Sequence, residues 1–420
     1  MKKYFMFNVV VEDTDLSNKI KAAVKKYCGR WVHVSSEKQR QAYNIIIQKR
    51  PHISVRLIDP LTVLLEIPDN ITGFKTVRMI EYARALLRLS IGWSNGYLLG
   101  AKEALEGLEV HPAYDVFLAA PGLLSFMGLD VNEHIVLLEK LFGGEHKVFC
   151  NGVLAGKLII YDDGCDIKAL IDKNRCSCNI GDMPWNINRD VMLRHINVSR
   201  RFLESLGRPD RVIVSFSGGK DSLAALDLAV KHYGSSNVEA IYVDTGVNFP
   251  TTKTYVERIG EILGVKVHTA YAPVKENLPE KGLPGKINRW CTLLKTKAFK
   301  DKLREITDRN EKILVIVGDR DTESEARSRK PPVRRRKWYL EAAPIKQWST
   351  FMVQLYMKIY DLPVNPLYTA GFYRLGCYIC PALTSLERKV MLEKLWGQIN
   401  GLPWINEYFE RYCPGTFLKQ

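Results

Sequence analysis

Between residues 210 and 320, short runs of consecutive apolar residues alternate with longer stretches that carry apolar side chains at helical spacing. The runs predict buried strands and the stretches predict helices. The predicted strands are "RVIVSF", "VEAIYVD", "VKVHTAYA" and "KILVIVGD", and the predicted helices are "DSLAALDLAVKHY", "TTKTYVERIGEIL" and "CTLLKTKAFKDKLREI". Such alternation is typical of a parallel sheet with helices on both faces. We therefore predict a doubly wound α/β fold for this part of the chain.

The first 205 residues mix strand and helix patterns less regularly, which indicates an α+β region. Strand-like runs at 5–11, 53–58 and 62–67 stand among amphipathic stretches at 16–27 and 77–89. Further on, "HKVFCNGVLAGKLIIYD" predicts a hairpin that turns at Asn151-Gly152, and it resembles a PUA-type RNA-binding module. The predicted divisions are an α+β domain over 1–100, a small β-rich module over 101–188, a catalytic domain over 189–385 and a helical tail over 386–420.

Composition limits the class of protein. The chain has 420 residues, 46% of them hydrophobic, which suffices for two or three domains with their own cores. No stretch resembles a membrane span or an export signal, so we expect a cytoplasmic protein without a membrane partner. In that setting, nine cysteines indicate metal or redox chemistry before disulfides.

Basic residues exceed acidic ones, and the formal net charge is +15. Part of the excess lies in "RSRKPPVRRRKWY", whose two prolines argue against a continuous helix and favour a mobile loop. Such a charge favours a polyanionic partner, either nucleic acid or a multiply charged nucleotide, although a solvated basic surface would have the same composition.

The stretch "SFSGGKDS" follows the first predicted strand and precedes a helix. A helix N-terminus presents unpaired N–H groups and a positive dipole, glycines allow close approach of a ligand, and a lysine adds charge. We therefore predict a phosphate-binding loop. Its spacing is not that of a Walker A loop, and it resembles the PP-loop of ATP pyrophosphatases. The predicted phosphate-binding residues are Ser215, Ser217, Gly218, Gly219, Lys220, Asp221 and Ser222, with Lys220 and Asp221 also as catalytic candidates.

Four further blocks follow in order: "VDTGVNFPTT", "NRWCTLLKT", "GDRDTESEAR" and "NPLYTAGFYRLGCYIC". With the loop, they make residues 210–385 resemble the PAPS reductase family of PP-loop proteins. The resemblance implies an adenine nucleotide alpha-hydrolase-like fold that binds ATP, or PAPS or APS, along the edge of the sheet. The family includes reductases of adenylyl sulfates and enzymes that use ATP to install sulfur in nucleic acid.

Two of these blocks supply further nucleotide-binding candidates. Asp244 can accept a hydrogen bond from the nucleotide or hold Mg²⁺ on its phosphates, or it can be a turn acid. Arg320 and Arg327 can clamp a phosphate or sulfate, while Glu323 and Ser324 orient them or cap a helix. The full set is Asp244, Thr245, Gly246, Arg320, Glu323, Ser324 and Arg327.

The cysteines suggest a metal centre. Cys377 and Cys380 form a C-x-x-C pair, and Cys291 lies 86 residues upstream of Cys377. In the cluster-bearing reductases, cysteines at these positions bind a [4Fe–4S] cluster. The resemblance therefore implies a cluster on these three cysteines, with Cys413 as the candidate fourth ligand or with one iron left open. Zinc, a redox dithiol and inert thiols remain alternatives, and we expect Cys176 and Cys178 to be structural.

Two enzyme hypotheses follow. In the favoured one, ATP adenylates a carbonyl oxygen of an acceptor, best a tRNA base, and sulfur from a donor protein displaces AMP. In the other, the protein reduces an adenylyl sulfate to sulfite with a reductant protein. Such reductases carry a C-terminal nucleophile in a Glu-Cys-Gly setting, whereas Cys413 stands in "ERYCPGT". A non-catalytic nucleotide-binding regulator is a third hypothesis.

Overall fold

The structure is a computed structural model that describes residues 5–27, 32–71, 73–88, 114–130, 132, 134–176, 186, 188–308 and 310–415. Two compact units are present. The first comprises residues 1–117, 181–209 and 317–361, and the second comprises 118–180, 210–316 and 362–420. This division differs from the contiguous segments predicted above, because the chain passes between the units several times.

The strands and helices are numbered in chain order. The strands are β1 Phe7–Val10, β2 Val32–Ser35, β3 Tyr43–Lys49, β4 Ser54–Asp59, β5 Thr62–Ile67, β6 Asp115–Leu118, β7 Val136–Lys140, β8 Glu145–Cys150, β9 Val153–Ile160, β10 Ile167–Ile171, β11 Arg211–Ser215, β12 Val238–Asp244, β13 Lys266–Tyr271, β14 Ile313–Val317, β15 Val333–Arg335 and β16 Leu340–Ala342. The helices are α1 Thr14–Tyr27, α2 Gly73–Leu87, α3 Pro121–Phe126, α4 Arg189–Ser205, α5 Lys220–Tyr233, α6 Pro250–Leu263, α7 Val274–Lys281, α8 Trp290–Ile306, α9 Glu325–Ser328, α10 Thr350–Ile359, α11 Pro366–Ala370, α12 Ser385–Lys394, α13 Trp396–Ile399 and α14 Ile405–Tyr412.

The first unit is built on a mixed five-stranded sheet of order β2-β1-β3-β5-β4. Strands β1, β2, β3 and β5 pair in parallel, and β4 pairs with β5 as an antiparallel hairpin. Helix α2 packs on β5 and against α1. The three predicted N-terminal strands are present; β1 and most of β5 are buried, whereas β4 buries only Val55.

Helix α4 contributes a buried histidine to this unit. The Nδ1 of His195 is 3.0 Å from the hydroxyl oxygen of Tyr43, and the imidazole is fully buried. Burial, with a smaller contribution from the charge of Arg194, lowers the pKa of His195 to about 3. In the folded chain the ring therefore stays neutral down to a pH of about 3. In the unfolded chain it takes up a proton below a pH of about 6.5.

This histidine is expected to make the first unit acid-sensitive. Below a pH of about 6.5 the unfolded chain binds a proton that the folded chain does not, so the free energy of unfolding should fall by about 1.4 kcal/mol per pH unit from this group alone. Urea unfolding at a series of pH values tests this. His195→Asn should show a shallower loss between pH 6.5 and 4.5, whereas His52→Asn, at an exposed position, should follow the wild type. Parallel pH profiles for wild type and His195→Asn would contradict the prediction.

The second unit contains the alternating strands and helices of residues 210–316, and the predicted α/β fold class is confirmed. Strands β13, β12 and β11 pair in parallel. In the order β13-β12-β11-β14, β12 and β13 lie on one side of β11 and β14 lies on the other, so the order of the strands reverses at β11. Apolar side chains of β11 and β14 are buried, and α5 packs on β11 and β12. In sheets of this kind, ligands bind beyond the carboxyl ends of the strands where the order reverses. The predicted phosphate-binding loop follows β11 at that point.

The same unit contains an antiparallel sheet of order β10-β9-β8-β7. Strands β8 and β9 form the predicted hairpin, and Asn151 and Gly152 have φ angles of 45° and 88°. Positive φ at both central residues is what a tight two-residue hairpin turn requires, which explains the Asn-Gly pair. No helix among the described residues is long and apolar enough to cross a membrane.

The basic segment around residue 330 corrects a prediction. It is not an irregular loop, because β15 and β16 form an antiparallel hairpin within it. Several of its cations are paired: Arg334 lies 2.8 Å from Asp319 and also contacts Glu341, and Arg336 lies 3.1 Å from Glu341. Part of the positive charge of this segment is therefore neutralised within the first unit.

Candidate active site

The loop after β11 has the backbone geometry that a phosphate-binding loop requires. Gly218 has a φ of +75°, and a Cβ there would lie 2.8 Å from the Thr252 methyl carbon, so only glycine fits. The hydroxyl of Ser222 accepts the Ser217 N–H at 3.2 Å and donates to the Gly219 carbonyl at 2.9 Å. These bonds close the loop on the first turn of α5. The residues predicted here, Ser215, Ser217, Gly218, Gly219, Lys220, Asp221 and Ser222, thus form one continuous segment at the end of β11.

Lys220 is the first residue of α5, and its side chain is buried. The ammonium donates to the carbonyl oxygen of Tyr373 at 3.0 Å and lies 3.4 Å from the Asp221 carboxylate. It also lies 5.0 Å from the ring centroid of Tyr368 and 5.3 Å from that of Tyr373. The carbonyl and π contacts orient the ammonium without neutralising it, and Asp221 offsets part of its charge. The remaining positive charge adds to that of the helix N-terminus.

The hydroxyl oxygen of Tyr368 lies at that N-terminus and accepts the backbone N–H of Lys220 at 3.0 Å. It lies 3.3 Å from the position a Cβ of Gly219 would occupy. The Asn365 side chain is fully buried and donates to the Gly218 carbonyl at 3.3 Å. The hydroxyl oxygen of Tyr368 therefore accepts a hydrogen bond from one of the N–H groups that would otherwise face a bound phosphate.

The loop after β12 carries Asp244, Thr245 and Gly246. One carboxylate oxygen of Asp244 accepts the Gly246 N–H at 2.9 Å, so Asp244 shapes the turn. The Thr245 side chain contacts Asn248 and lies 3.3 Å from the Sγ of Cys377. The predicted nucleotide loop and the predicted thiol site therefore meet at the carboxyl end of β12.

Three free thiols interact electrostatically with one half-buried lysine. Lys295 is one helical turn after Cys291 on α8, and its Nζ lies 3.1 Å from the Sγ of Cys377. Burial raises the pKa of the Cys291 thiol; the charge of Lys295 opposes this, and those of Cys377 and Cys380 add to it. Burial alone would lower the pKa of Lys295, but its interactions with Cys377, Cys380 and Cys291 raise it above its ordinary value. Lys295 therefore places positive charge beside the sulfur of Cys377, whereas burial opposes negative charge on Cys291.

Cys413, predicted as a catalytic residue and fourth ligand, is placed differently. It forms a disulfide with Cys165, with the two Cα atoms 5.5 Å apart, so its sulfur is neither a thiolate ligand nor a nucleophile in this state. The sequence prediction for Cys413 is corrected on this point. Cys176, expected to be structural, pairs with Cys150, and Cys178 lies outside the described residues.

The thiol site fits the implied cluster in part. Its donors are sulfur, and a lysine stands beside them, which suits an anionic iron–sulfur cluster. Across the described residues, however, no group of three or more His, Cys, Asp and Glu side chains is arranged to hold a single metal ion. With Cys413 in a disulfide, the donor set is three thiols, and a cluster on them stays a prediction.

The motif "GDRDTESEAR" lies in the first unit. The guanidinium of Arg320 is buried, donates to Trp348 O and Thr350 Oγ1 at 3.2 and 2.9 Å, and lies 3.6 Å from Asp115. These contacts hold it inside the core of the unit. The predicted phosphate clamp is therefore wrong for Arg320, whose role in the fold is that of a buried cross-link.

Arg327 is half-exposed and differs from Arg320. It pairs with Asp319 at 3.1 Å and contacts Glu323, and the Ser324 hydroxyl caps α9 by accepting the Arg327 N–H. Burial alone would raise the pKa of Asp319, yet Arg327 and Arg334 hold it below its ordinary value. Glu323 and Ser324 therefore orient Arg327 and cap the helix, as expected, and a phosphate role for Arg327 stays a prediction.

Sequence reasoning did not identify Tyr368, Tyr373, Asn365 or Lys295. The signal for Lys295 was present, since residues i and i+4 of a helix share a face and Cys291 is four residues before it. Asn365 precedes a proline at a helix start, a common capping position. The contacts of the two tyrosines with the loop join residues that lie about 150 positions apart.

Comparison with known proteins supports the sequence resemblance. Residues 211–383 match the family described as the phosphoadenosine phosphosulfate reductase domain. An uncharacterised protein of Methanocaldococcus jannaschii is 34% identical over 220 residues, which is 50% of this chain and 44% of that protein. A phosphoadenosine 5'-phosphosulfate reductase of Xylella fastidiosa is 28% identical over 197 residues, covering 44% of this chain and 80% of that protein.

The chain covers less than half the length of the Methanocaldococcus relative, and a second protein of that organism is covered to 47%. A solved phosphoadenylyl-sulfate reductase from Candida auris, in a phosphate complex, has a TM-score of 0.35 and 16% identity, covering 48% of this chain and 98% of that one. The family assignment rests on the sequence match, which contains the loop, the β12 segment and the C-x-x-C pair. Residues 211–383 thus belong to the phosphoadenosine phosphosulfate reductase family.

Proposed function

We propose that this chain uses ATP to adenylate an acceptor and then exchanges the adenylated oxygen for sulfur. The observation that carries the proposal is the dual role of residues 365–380. Asn365, Tyr368 and Tyr373 of this segment contact the phosphate-binding loop, and Cys377 and Cys380 at its end belong to the thiol site. Nucleotide binding and sulfur chemistry would therefore be served by one short stretch of chain.

The loop would hold the phosphates of ATP. The N–H groups at the start of α5 and the ammonium of Lys220 would stabilise their negative charge. Asp244, with Asp221, would hold Mg²⁺ on the phosphates, since carboxylates are the protein ligands that Mg²⁺ prefers. A carbonyl oxygen of the acceptor would then attack the α-phosphorus, and pyrophosphate would leave. Sulfide would attack the carbon that carries the adenylated oxygen, and AMP would leave.

The thiols of Cys291, Cys377 and Cys380 would provide the sulfur side of the site. These three thiolates would hold an iron–sulfur cluster, which would supply electron transfer or a place for sulfide. Lys295 would neutralise part of the negative charge, because its ammonium lies beside Cys377. Zinc on the same thiols is the alternative. The sulfur comes from a donor protein.

We propose tRNA or another nucleic acid as the acceptor. A net charge of +15 favours a polyanion, and the hairpin around Asn151 belongs to the stretch that resembles a PUA-type module. Arg334 and Arg336 are paired with carboxylates, so the segment around residue 330 has less positive charge with which to bind a nucleic acid. The proposed compartment is the cytoplasm.

Reduction of an adenylyl sulfate to sulfite is the second candidate. It is favoured by the Xylella fastidiosa reductase, 80% of which is covered by the match to this chain. In that reaction the loop would hold the phosphate or sulfate of PAPS or APS. The Cys165–Cys413 disulfide would first have to be opened by a reductant protein if Cys413 is to act as nucleophile.

Product analysis separates the two candidates. Protein purified without oxygen is incubated with ATP or with PAPS, each with and without bulk tRNA, and pyrophosphate, AMP and sulfite are measured. We expect AMP and pyrophosphate from ATP, increased by tRNA and reduced as salt rises, because nucleic-acid binding releases counterions. Sulfite from PAPS, with no AMP from ATP, would transfer the assignment to the reductase. No product from either nucleotide, despite measurable binding, would favour a regulator.

A further inference from the structure

The Cys165–Cys413 disulfide lies in the wall of an open pocket of about 820 Å³ in the second unit. The pocket is bounded by the stretch around Gly164, by residues 285–288 and by the end of α14. Both cysteines line it although each residue as a whole is buried. A small molecule in the pocket would therefore contact both cysteine residues of the disulfide.

One wall of the pocket is coupled to the C-x-x-C turn. Cys413 directly follows α14, and the carbonyl of Tyr412 accepts the Gly164 N–H at 3.1 Å. One turn earlier in α14, the hydroxyl of Tyr408 donates to the carbonyl of Cys380 at 2.9 Å. The disulfide thus holds the end of the helix that braces Cys380.

The opposite wall leads to the third thiol. Arg411 donates to the Leu283 carbonyl at 3.0 Å, and Lys286 donates to the Asp162 carbonyl at 3.1 Å. Residues 285–288 then lead into α8, whose second residue is Cys291. Two walls of the pocket therefore lead to the thiol site: the end of α14 contacts Cys380 through Tyr408, and residues 285–288 precede the helix that carries Cys291.

We propose that Cys165 and Cys413 form a thiol–disulfide exchange site that accepts a small dithiol in this pocket and that loosens the thiol site when reduced. A thiolate of the dithiol attacks one cysteine sulfur, the S–S bond of the protein breaks, and a mixed disulfide forms. The second thiolate of the dithiol attacks that mixed disulfide. Two electrons pass to the protein, which ends with two thiols after taking up two protons, and the dithiol leaves as a cyclic disulfide.

The chain contains its own control. Cys150 and Cys176 form a second disulfide, and these residues are 0% and 1% exposed and do not line the pocket. Exchange rates depend on access of the attacking thiolate. The two disulfides should therefore differ in rate although each is closed by cysteines of the same unit.

The test uses the oxidised full-length chain and needs neither nucleotide nor metal, so its outcome is independent of the proposed function. Dithiothreitol is added, samples are quenched with iodoacetamide, and alkylated peptides are quantified over time. Cys165 and Cys413 should be alkylated roughly tenfold faster, or more, than Cys150 and Cys176. Hydrogen exchange of the same samples should accelerate over 376–383 and 405–412 on reduction, and remain unchanged over 220–233.

Variants test whether the change in hydrogen exchange depends on the Cys165–Cys413 pair. Cys165→Ser and Cys413→Ser should each show the fast exchange over 376–383 without dithiothreitol, whereas Cys150→Ser should keep the wild-type response. Equal reduction rates for the two disulfides would overturn the exchange site. Unchanged exchange over 376–383 between oxidised and reduced wild type would overturn the coupling, and this comparison holds even where a variant does not fold.

Discussion

Lys220→Ala is expected to abolish nucleotide turnover while leaving the fold intact. The lysine ammonium is buried beside the first turn of α5, and its removal takes away the positive side chain of the loop. Charge-assisted contacts are worth roughly 1.5–3 kcal/mol each, so nucleotide affinity should also fall by roughly ten- to a hundredfold. Calorimetric titration and the product assay measure the two effects, and circular dichroism monitors the fold.

Two controls make this result specific. Lys266→Ala removes a lysine from an exposed position on β13 of the same sheet and should leave affinity and turnover unchanged. Lys220→Arg keeps the charge but changes its geometry, and should recover part of the affinity and little of the turnover. Full affinity and activity in Lys220→Ala would show that the loop does not bind the phosphates.

Local patterns were sufficient to predict the α/β sheet and the loop. The strands β11, β12, β13 and β14 were visible as apolar runs, and glycine, lysine and hydroxyl residues directly after β11 indicated phosphate binding. Both features are determined by residues close together in the sequence. Any helix N-terminus provides unpaired N–H groups, and the positive φ angle of Gly218 favours glycine at that position. For such features the chain itself carries the information.

The failures concern contacts between distant residues. Arg320 has the residue type for a phosphate clamp, but its guanidinium is buried near Asp115, which lies 205 positions earlier. Cys413 has the residue type for a ligand, but its partner Cys165 lies 248 positions away. A motif specifies which chemistry a side chain can perform, and only packing decides whether that side chain faces a ligand or the interior.

Cys377→Ser is expected to remove most of the iron from protein prepared without oxygen. The wild type should be brown and hold about four irons per chain, since [4Fe–4S] clusters are bound by cysteine thiolates. Cys377 is the thiol that contacts both Lys295 of α8 and Thr245 of the loop after β12. Its substitution therefore removes the sulfur ligand that lies between these two elements. Iron and sulfide analysis, with the visible absorption spectrum, measures the loss.

The matched variant is Cys413→Ser. The sequence prediction made Cys413 the fourth ligand, whereas the structure pairs it with Cys165. If three thiolates hold the cluster, Cys413→Ser should keep its iron and colour, and Cys176→Ser, from the other disulfide, should do the same. Bleaching by Cys413→Ser would mean that the disulfide opens when metal binds and that the site is closed by four cysteines.

A colourless wild type with one zinc per chain would exclude the cluster and leave the zinc site. A wild type without metal, whose Cys377 and Cys380 oxidise reversibly, would make the C-x-x-C pair a redox dithiol.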